Sequence, residues 1–377
     1  MSSFETWFND VIAKYGPLGI SGPLIATVLA VVGGLWFYAN YIDDDTKPKG
    51  PQRDPNLPLP SPIVSLRIYP IKSCRGFEVE GTKLKKTGLD LDRHWMFVDA
   101  ATKEFLTIRS DPTMTLIDTS LSEVEDKYEL KISIHGTEDA VTVNAYPTTE
   151  WLEANCTLER VQIWETITDG WQYGDSINDV FSKYFKKPVK LIYKGPEPRI
   201  SRGSAGPELY GEEVSTMFAD VMSIQIASES SLADLNKRLE DNPDAPAAPL
   251  TIERFRPNIV IAGNAAWEED GWKRVQIVDV NHAKQELRRY ELDVVCRCAR
   301  CLVPNVDPDT AEKNAREPWN TLMKFRRVDT GGPAKFKPCF GMLCLPRKEG
   351  VIRVGNMLEV LEVTDKHLYN TAKFEDL

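Results

Sequence analysis

Three thiols fall within six residues, Cys296-Arg-Cys-Ala-Arg-Cys301, and the run Leu302-Val-Pro-Asn-Val-Asp-Pro-Asp-Thr310 follows them. Arginine beside a cysteine favours the thiolate, and a thiolate is the form that binds a soft metal. Cys298-x-x-Cys301 with Cys339-x4-Cys344 would give a structural zinc site, although the second spacing is loose. Cys298-x-x-Cys301 alone would give a thioredoxin-like redox pair, but Pro304, Pro308 and two aspartates follow where a helix would be needed. A third reading is one metal-ligating cysteine in an anion-binding pocket, and a fourth is a set of buried inert thiols. The cations elsewhere favour the third. Lys72-Ser73 follows Tyr69-Pro70, Arg93 sits in Leu91-Asp-Arg-His-Trp95, Arg109 follows a strand, and Arg256 sits in Arg254-Phe-Arg-Pro-Asn258. Each alone is an ordinary surface cation. Together they could cradle a phosphate-bearing cofactor, because Lys and Arg are the usual phosphate donors.

The elements that must position these residues are mostly strands. Ile63, Ser65, Arg67 and Tyr69 alternate with Val64, Leu66 and Ile68, and Trp95–Val98, Tyr128–Ile134 and Ala140–Val143 are further short runs between turn residues. The pattern predicts an antiparallel, barrel-like arrangement. Asn258–Gly263 reads as a buried strand. Helices are predicted from a Ser176-x-x-Asp179 box to Phe185, over Ser228–Leu239, and from Pro318 to about Phe325. Gly195-Pro-Glu-Pro198 and Ser201-Arg-Gly-Ser-Ala-Gly-Pro207 mark a break, so the catalytic region divides into 61–195 and 196–361, with a tail at 362–377.

Residues 15–42 carry no charged side chain. About 20 apolar residues span a bilayer as a helix, and Trp36, Phe37, Tyr38 and Tyr41 would sit at the lipid boundary. The tail 1–15 lacks the basic start of a secretory signal, so 16–42 reads as a retained transmembrane signal anchor. Lys14 stands alone before it, whereas Lys47, Lys49 and Arg53 follow, which places the large domain in the cytosol. Residues 43–60 are a Pro-rich linker; six prolines in the seventeen residues from Thr46 to Pro62 favour an extended spacer.

The chain has 377 residues, 42% hydrophobic and 27% charged, with a net charge of −10. An acidic protein lacks the concentrated basic surface that nucleic acid requires. Seven cysteines in so long a chain do not form a disulfide framework, and four histidines without close spacing exclude a histidine-built zinc hydrolase.

Tyr69-Pro-Ile-Lys-Ser-Cys-Arg-Gly76, Asp92-Arg-His-Trp95, Ser228-Glu-Ser-Ser-Leu-Ala-Asp-Leu-Asn236, Phe255-Arg-Pro-Asn-Ile-Val-Ile261 and Arg300-Cys-Leu-x3-Val-Asp-Pro-Asp-Thr310 resemble the MOSC family, and within it the mitochondrial amidoxime-reducing branch. The resemblance runs from about 61 to 361. It implies an α+β fold: a mostly antiparallel β-barrel MOSC core, a smaller α/β N-terminal MOSC subdomain with barrel-like strands, and one preceding transmembrane helix. It also implies a molybdenum-pyranopterin cofactor. Cys301 would be the metal ligand and catalytic centre, with Lys72, Ser73, Arg93, Arg256, Ala299 and Arg300 as cofactor contacts. Asp220, Val221 and Met222 occupy a loop that contacts the cofactor in the family, partly by backbone. Leu343 stands where the family often has a tyrosine. The implied reaction takes an N–OH compound, such as an amidoxime or hydroxylamine, with two electrons and two protons to the reduced nitrogen compound and water. The chain carries no iron–sulfur, flavin or haem motif, so electrons come from other proteins; the resemblance implies cytochrome b5 and NADH-cytochrome b5 reductase. It places the enzyme on the outer mitochondrial membrane facing the cytosol, with the endoplasmic reticulum membrane as the alternative. A carrier that holds the cofactor, or passes on sulfur, without reducing anything is the competing function.

Overall fold

The alternating apolar runs form strands whose inner residues recur every second position, as a half-buried strand requires. Seven strands, one from the first half and six from the second, build a barrel in the computed structural model, which describes residues 54–281, 286–329, 331 and 335–369. They are β1 (Ser61–Ile68), β2 (Ile224–Ser228), β3 (Ile259–Ile261), β4 (Trp272–Asn281), β5 (Glu286–Ala299), β6 (Cys339–Pro346) and β7 (Met357–Val363). Their order around the barrel is β3-β2-β6-β5-β4-β7-β1, and β1 pairs with β3 to close it. One core gathers Ile224 and Ile226, Ile259 and Ile261, Val275 and Ile277, Leu292 and Val294, Met342 and Cys344, and Leu358 and Val360. Burying each large aliphatic side chain of this kind stabilises by ~1.5–3 kcal/mol.

All neighbouring barrel pairs are antiparallel except β2–β3. A parallel pair needs a crossover. Part of it is helical: helix Glu229–Leu239 packs Leu235 and Leu239 with Ala227, Phe255 and Phe340 in a second apolar cluster. Between β1 and β2 most strands form separate sheets. One has the order Trp95–Asp99, Val189–Lys194, Thr166–Gln172, Thr157–Ile163, and the other is a meander of Ile117–Val124, Lys127–Ile134 and Ala140–Asn144. Helix Asp175–Phe185 closes the first sheet, with Phe181 4.8 Å from Phe97.

The fold is therefore mostly β with a closed barrel and few helices, as expected. Three local readings change. Strict alternation put Ile63 and Leu66 on opposite faces of β1; a bulge between Ile63 and Ser65 inserts one residue, and both are buried. Ser176 does not cap its helix. The helix starts at Asp175 after Gly174, which offers no side-chain cap, and Asn178 ties this end to Tyr173 O and Leu191 N. Pro318 is the cap of the last helix, Trp319–Phe325, rather than its first residue. Ser228 does cap its helix, accepting from Ser231 N. No helix among the described residues is long and apolar enough to cross a membrane; the anchor expected at 16–42 lies outside the described residues.

Candidate active site

Cys301 follows the end of β5 and is partly exposed. The strand reaches it through two bulges, between Val294 and Cys296 and between Arg297 and Ala299, which are common devices for re-aiming side chains beside functional sites. Burial pushes the Cys296 thiol up to about 12, and it also pushes Cys339 and Cys344 well up. Cys298 is raised by burial and opposed by Arg300. Among the described residues no three Cys, His, Asp or Glu side chains gather as a metal cluster, so the four-cysteine zinc arrangement does not form. A 3-10 turn, Val303–Asn305, follows Cys301 where a thioredoxin-like motif needs a helix.

Arg300 is buried, and all its acceptors are neutral. Nη1 donates to Gln225 Oε1 at 3.2 Å and Cys298 Sγ at 3.0 Å, and Nη2 donates to Phe255 O at 3.0 Å. Ala299 pairs with Cys339 just before it. Phe255 leads to Arg256, whose guanidinium lies 4.3 Å from the Tyr69 ring centroid. Arg93 lies 4.4 Å from the same ring and donates from Nη2 to Arg256 O at 3.3 Å. Among the described residues Arg93 alone of these arginines holds a carboxylate, that of Asp92. Ser73, Arg93 and Arg256 all have left-handed backbone, with φ of 69°, 54° and 56°; non-glycine residues held there cluster at functional sites.

Lys72 is buried and donates to Phe218 O at 3.0 Å and to the Asp220 carboxylate. Burial lowers Lys72 to about 8, against the opposing pull of Asp220. Burial would raise Asp220, but Lys72 beside it holds its carboxyl well below the usual range. The Asp220 side chain is 54% accessible, so water screens part of this pair. Sequence reasoning reserved a backbone role for Asp220–Met222, whereas the Asp220 side chain also takes Trp164 Nε1 at 3.1 Å. Val221 is exposed, and Met222 packs with Cys296 and Leu343.

Three contributors carried no sequence signal. Arg199 lies outside the motifs, yet it is buried and donates to Met217 O and Ala219 O. Burial lowers it to about 10. Trp164 also supports Arg109, whose guanidinium lies 4.5 Å from its ring. Gln225 became adjacent to Arg300 only when β2 paired with β6.

The Val-Asp-Pro-Asp-Thr motif is a brace. Asp307 accepts from Arg254 Nη2 at 2.5 Å, from Asp309 N at 2.9 Å and from Thr310 N at 3.3 Å. Arg75 pairs with Asp309. This fixes the loop after Cys301 to the turn before Arg256.

Arg199, Arg256 and Arg300 have no carboxylate partner among the described residues, and each keeps one buried N–H without an acceptor: Nε, Nη2 and Nε. A buried charge is costly unless paired. Three such guanidiniums with a partly exposed thiol fit a large anionic group with a soft metal.

Two sequence families match the chain: the MOSC N-terminal beta barrel domain over 61–188 and the MOSC domain over 213–359. The chain belongs to the MOSC family. Within that family it is similar to amidoxime-reducing components. It is 30% identical to mitochondrial amidoxime-reducing component 1 of Homo sapiens, over 79% of this chain and 82% of that protein. It is 31% identical to component 2 of Rattus norvegicus, over 81% and 85%, and 31% identical to component 1 of Mus musculus, over 82% and 85%.

Proposed function

We propose that this chain is a molybdenum-cofactor-dependent reductase of N-hydroxylated compounds, such as amidoximes and hydroxylamines. The observation that carries the reading is three arginines, Arg199, Arg256 and Arg300, that each keep a buried N–H without an acceptor among the described residues, with Arg300 next to Cys301 in the chain and bonded to Cys298. Membership in the MOSC family and the names of the relatives support a molybdenum-related oxidoreductase function. Cys301 would hold the metal through its thiolate. Arg300, Arg256 and Arg199 would hold the cofactor's anionic groups through their free N–H donors, with Lys72, Ser73, Arg93 and the backbone of 220–222 and Ala299 around them. When bound, the molybdenum-pyranopterin supplies two-electron oxygen-atom chemistry. Leu343 packs with Met222 and Cys296 and would make one wall apolar, and the exposed Val221 and Leu302 flank the site in sequence. Electrons would come from cytochrome b5 and its NADH-dependent reductase. Residues 16–42 would anchor the enzyme to the outer mitochondrial membrane, with 61–361 in the cytosol. The test is molybdenum content followed by benzamidoxime reduction with reconstituted cytochrome b5 and reductase. Near one molybdenum per chain with turnover is expected. Molybdenum without turnover would favour a cofactor carrier, and zinc in its place would end the proposal.

A further inference from the structure

Gln225 has no assigned part in this site, and the inference about it rests on the reading of the pocket as a cofactor seat. The residue is 9% exposed and fixed at both backbone groups. Asn258 N donates to Gln225 O at 2.9 Å, and Gln225 N donates to Asn258 Oδ1 at 3.2 Å. Across the sheet it faces Leu343, which in turn faces Cys296. The amide's orientation follows from chemistry. Arg300 only donates, so the group 3.2 Å from its Nη1 is the oxygen. Cys298 Sγ lies 3.7 Å from the same oxygen. Nε2 is then left on the other side, buried and without an acceptor among the described residues. It lies where a Cβ on Gly341 would approach to 3.0 Å.

A glutamate at 225 would fill the same space and make a stronger, charge-assisted bond to Arg300. It would also close Arg300 into an ion pair. The amide holds the guanidinium in one direction and leaves its charge for a ligand. We propose that Gln225 is a positioning residue that aims Arg300 at the anionic groups of the cofactor without neutralising it, and thereby sets how long the cofactor is retained.

The test uses the full chain purified with its cofactor and follows molybdenum retained per chain over time after dilution. Thermal midpoints serve as the folding control. Gln225→Glu is expected to shorten the retention half-life about tenfold or more, because a bond to a charged group is among the stronger ones. Gln225→Met, which frees the charge but loses the aim, is expected to shorten it about threefold. A Glu variant that retains molybdenum like the wild type overturns the proposal. So does a Met variant at least as impaired as the Glu variant, since packing alone would then explain the residue. Should the Glu variant not fold, full retention by the Met variant overturns it by itself. Wild-type protein without molybdenum overturns the functional reading and this inference with it; wild-type protein with molybdenum confines any failure to Gln225.

Discussion

At the scale of single residues, environment separates seven cysteines that composition could not. A thiol pushed up to about 12, as in Cys296, stays protonated at neutral pH and is a poor metal ligand. Replacing Cys296 by Ala should leave molybdenum content near that of the wild type, while Cys301→Ala should remove it, as read by elemental analysis of matched preparations. Lys72 gives a pH prediction with two opposite signs. Its Nζ is charged below about 8 and neutral above, so retention of an anionic cofactor should weaken as pH rises through 8, and Lys72→Met should flatten that dependence. Stability should move the other way. Between about 8 and the ordinary 10.5 the unfolded chain binds more protons than the folded one, so the free energy of unfolding contributed by this group rises with pH across that window. Denaturant titrations at pH 8 and 10 compare the two. Equal slopes in wild type and Lys72→Met would contradict the assignment.

Elements decide what these residues can reach. The motif cysteine, the lysine and most of the arginines were legible because each sits in a distinctive local string. Arg199 and Gln225 were not, since their roles depend on pairings made by distant strands, and no local period encodes which strands become neighbours. The bulges of β1 and β5 were hidden for a related reason: an inserted residue preserves composition while shifting every later side chain to the other face. Gly341 is a point where the elements are tightly constrained. Its φ is 77°, and a Cβ there would lie 2.8 Å from Ile226 O. Gly341→Ala should destabilise the protein by ~1–3 kcal/mol and shorten molybdenum retention, because the displaced strand carries Gln225. The brace after Cys301 gives a milder prediction. Asp307→Ala leaves Arg254 buried without its carboxylate, and with Asp307 one-third exposed the cost should be ~1–3 kcal/mol. A shifted urea midpoint would measure it; no shift would mean that the loop is held elsewhere.

The whole molecule divides differently from its string of motifs. Residues 61–195 and 196–361 separate cleanly by turn-rich sequence, yet β1 lies in the barrel between β3 and β7. A fragment beginning at 196 would expose both of those edges, and open edges template aggregation. Such a fragment should be recovered insoluble, and adding residues 54–195 as a separate chain should restore soluble barrel. Soluble, cofactor-retaining fragment 196–377 would refute this.

Closure by β1 also orders events during synthesis. Ser61 pairs with Leu358, a partner about 300 residues later in the chain. At ~5–20 residues per second, β1 leaves the ribosome ~15–60 s before that partner exists. β1 can pair with β3 once residues 259–261 emerge, but the barrel around Ile63, Leu66 and Ile68 closes only when β7 follows, while the sheets of the first half can already assemble. The proposed cofactor would face the same schedule. Cys301 follows β1 by some 240 residues, so the pocket proposed to hold it would form only after the later barrel strands have emerged.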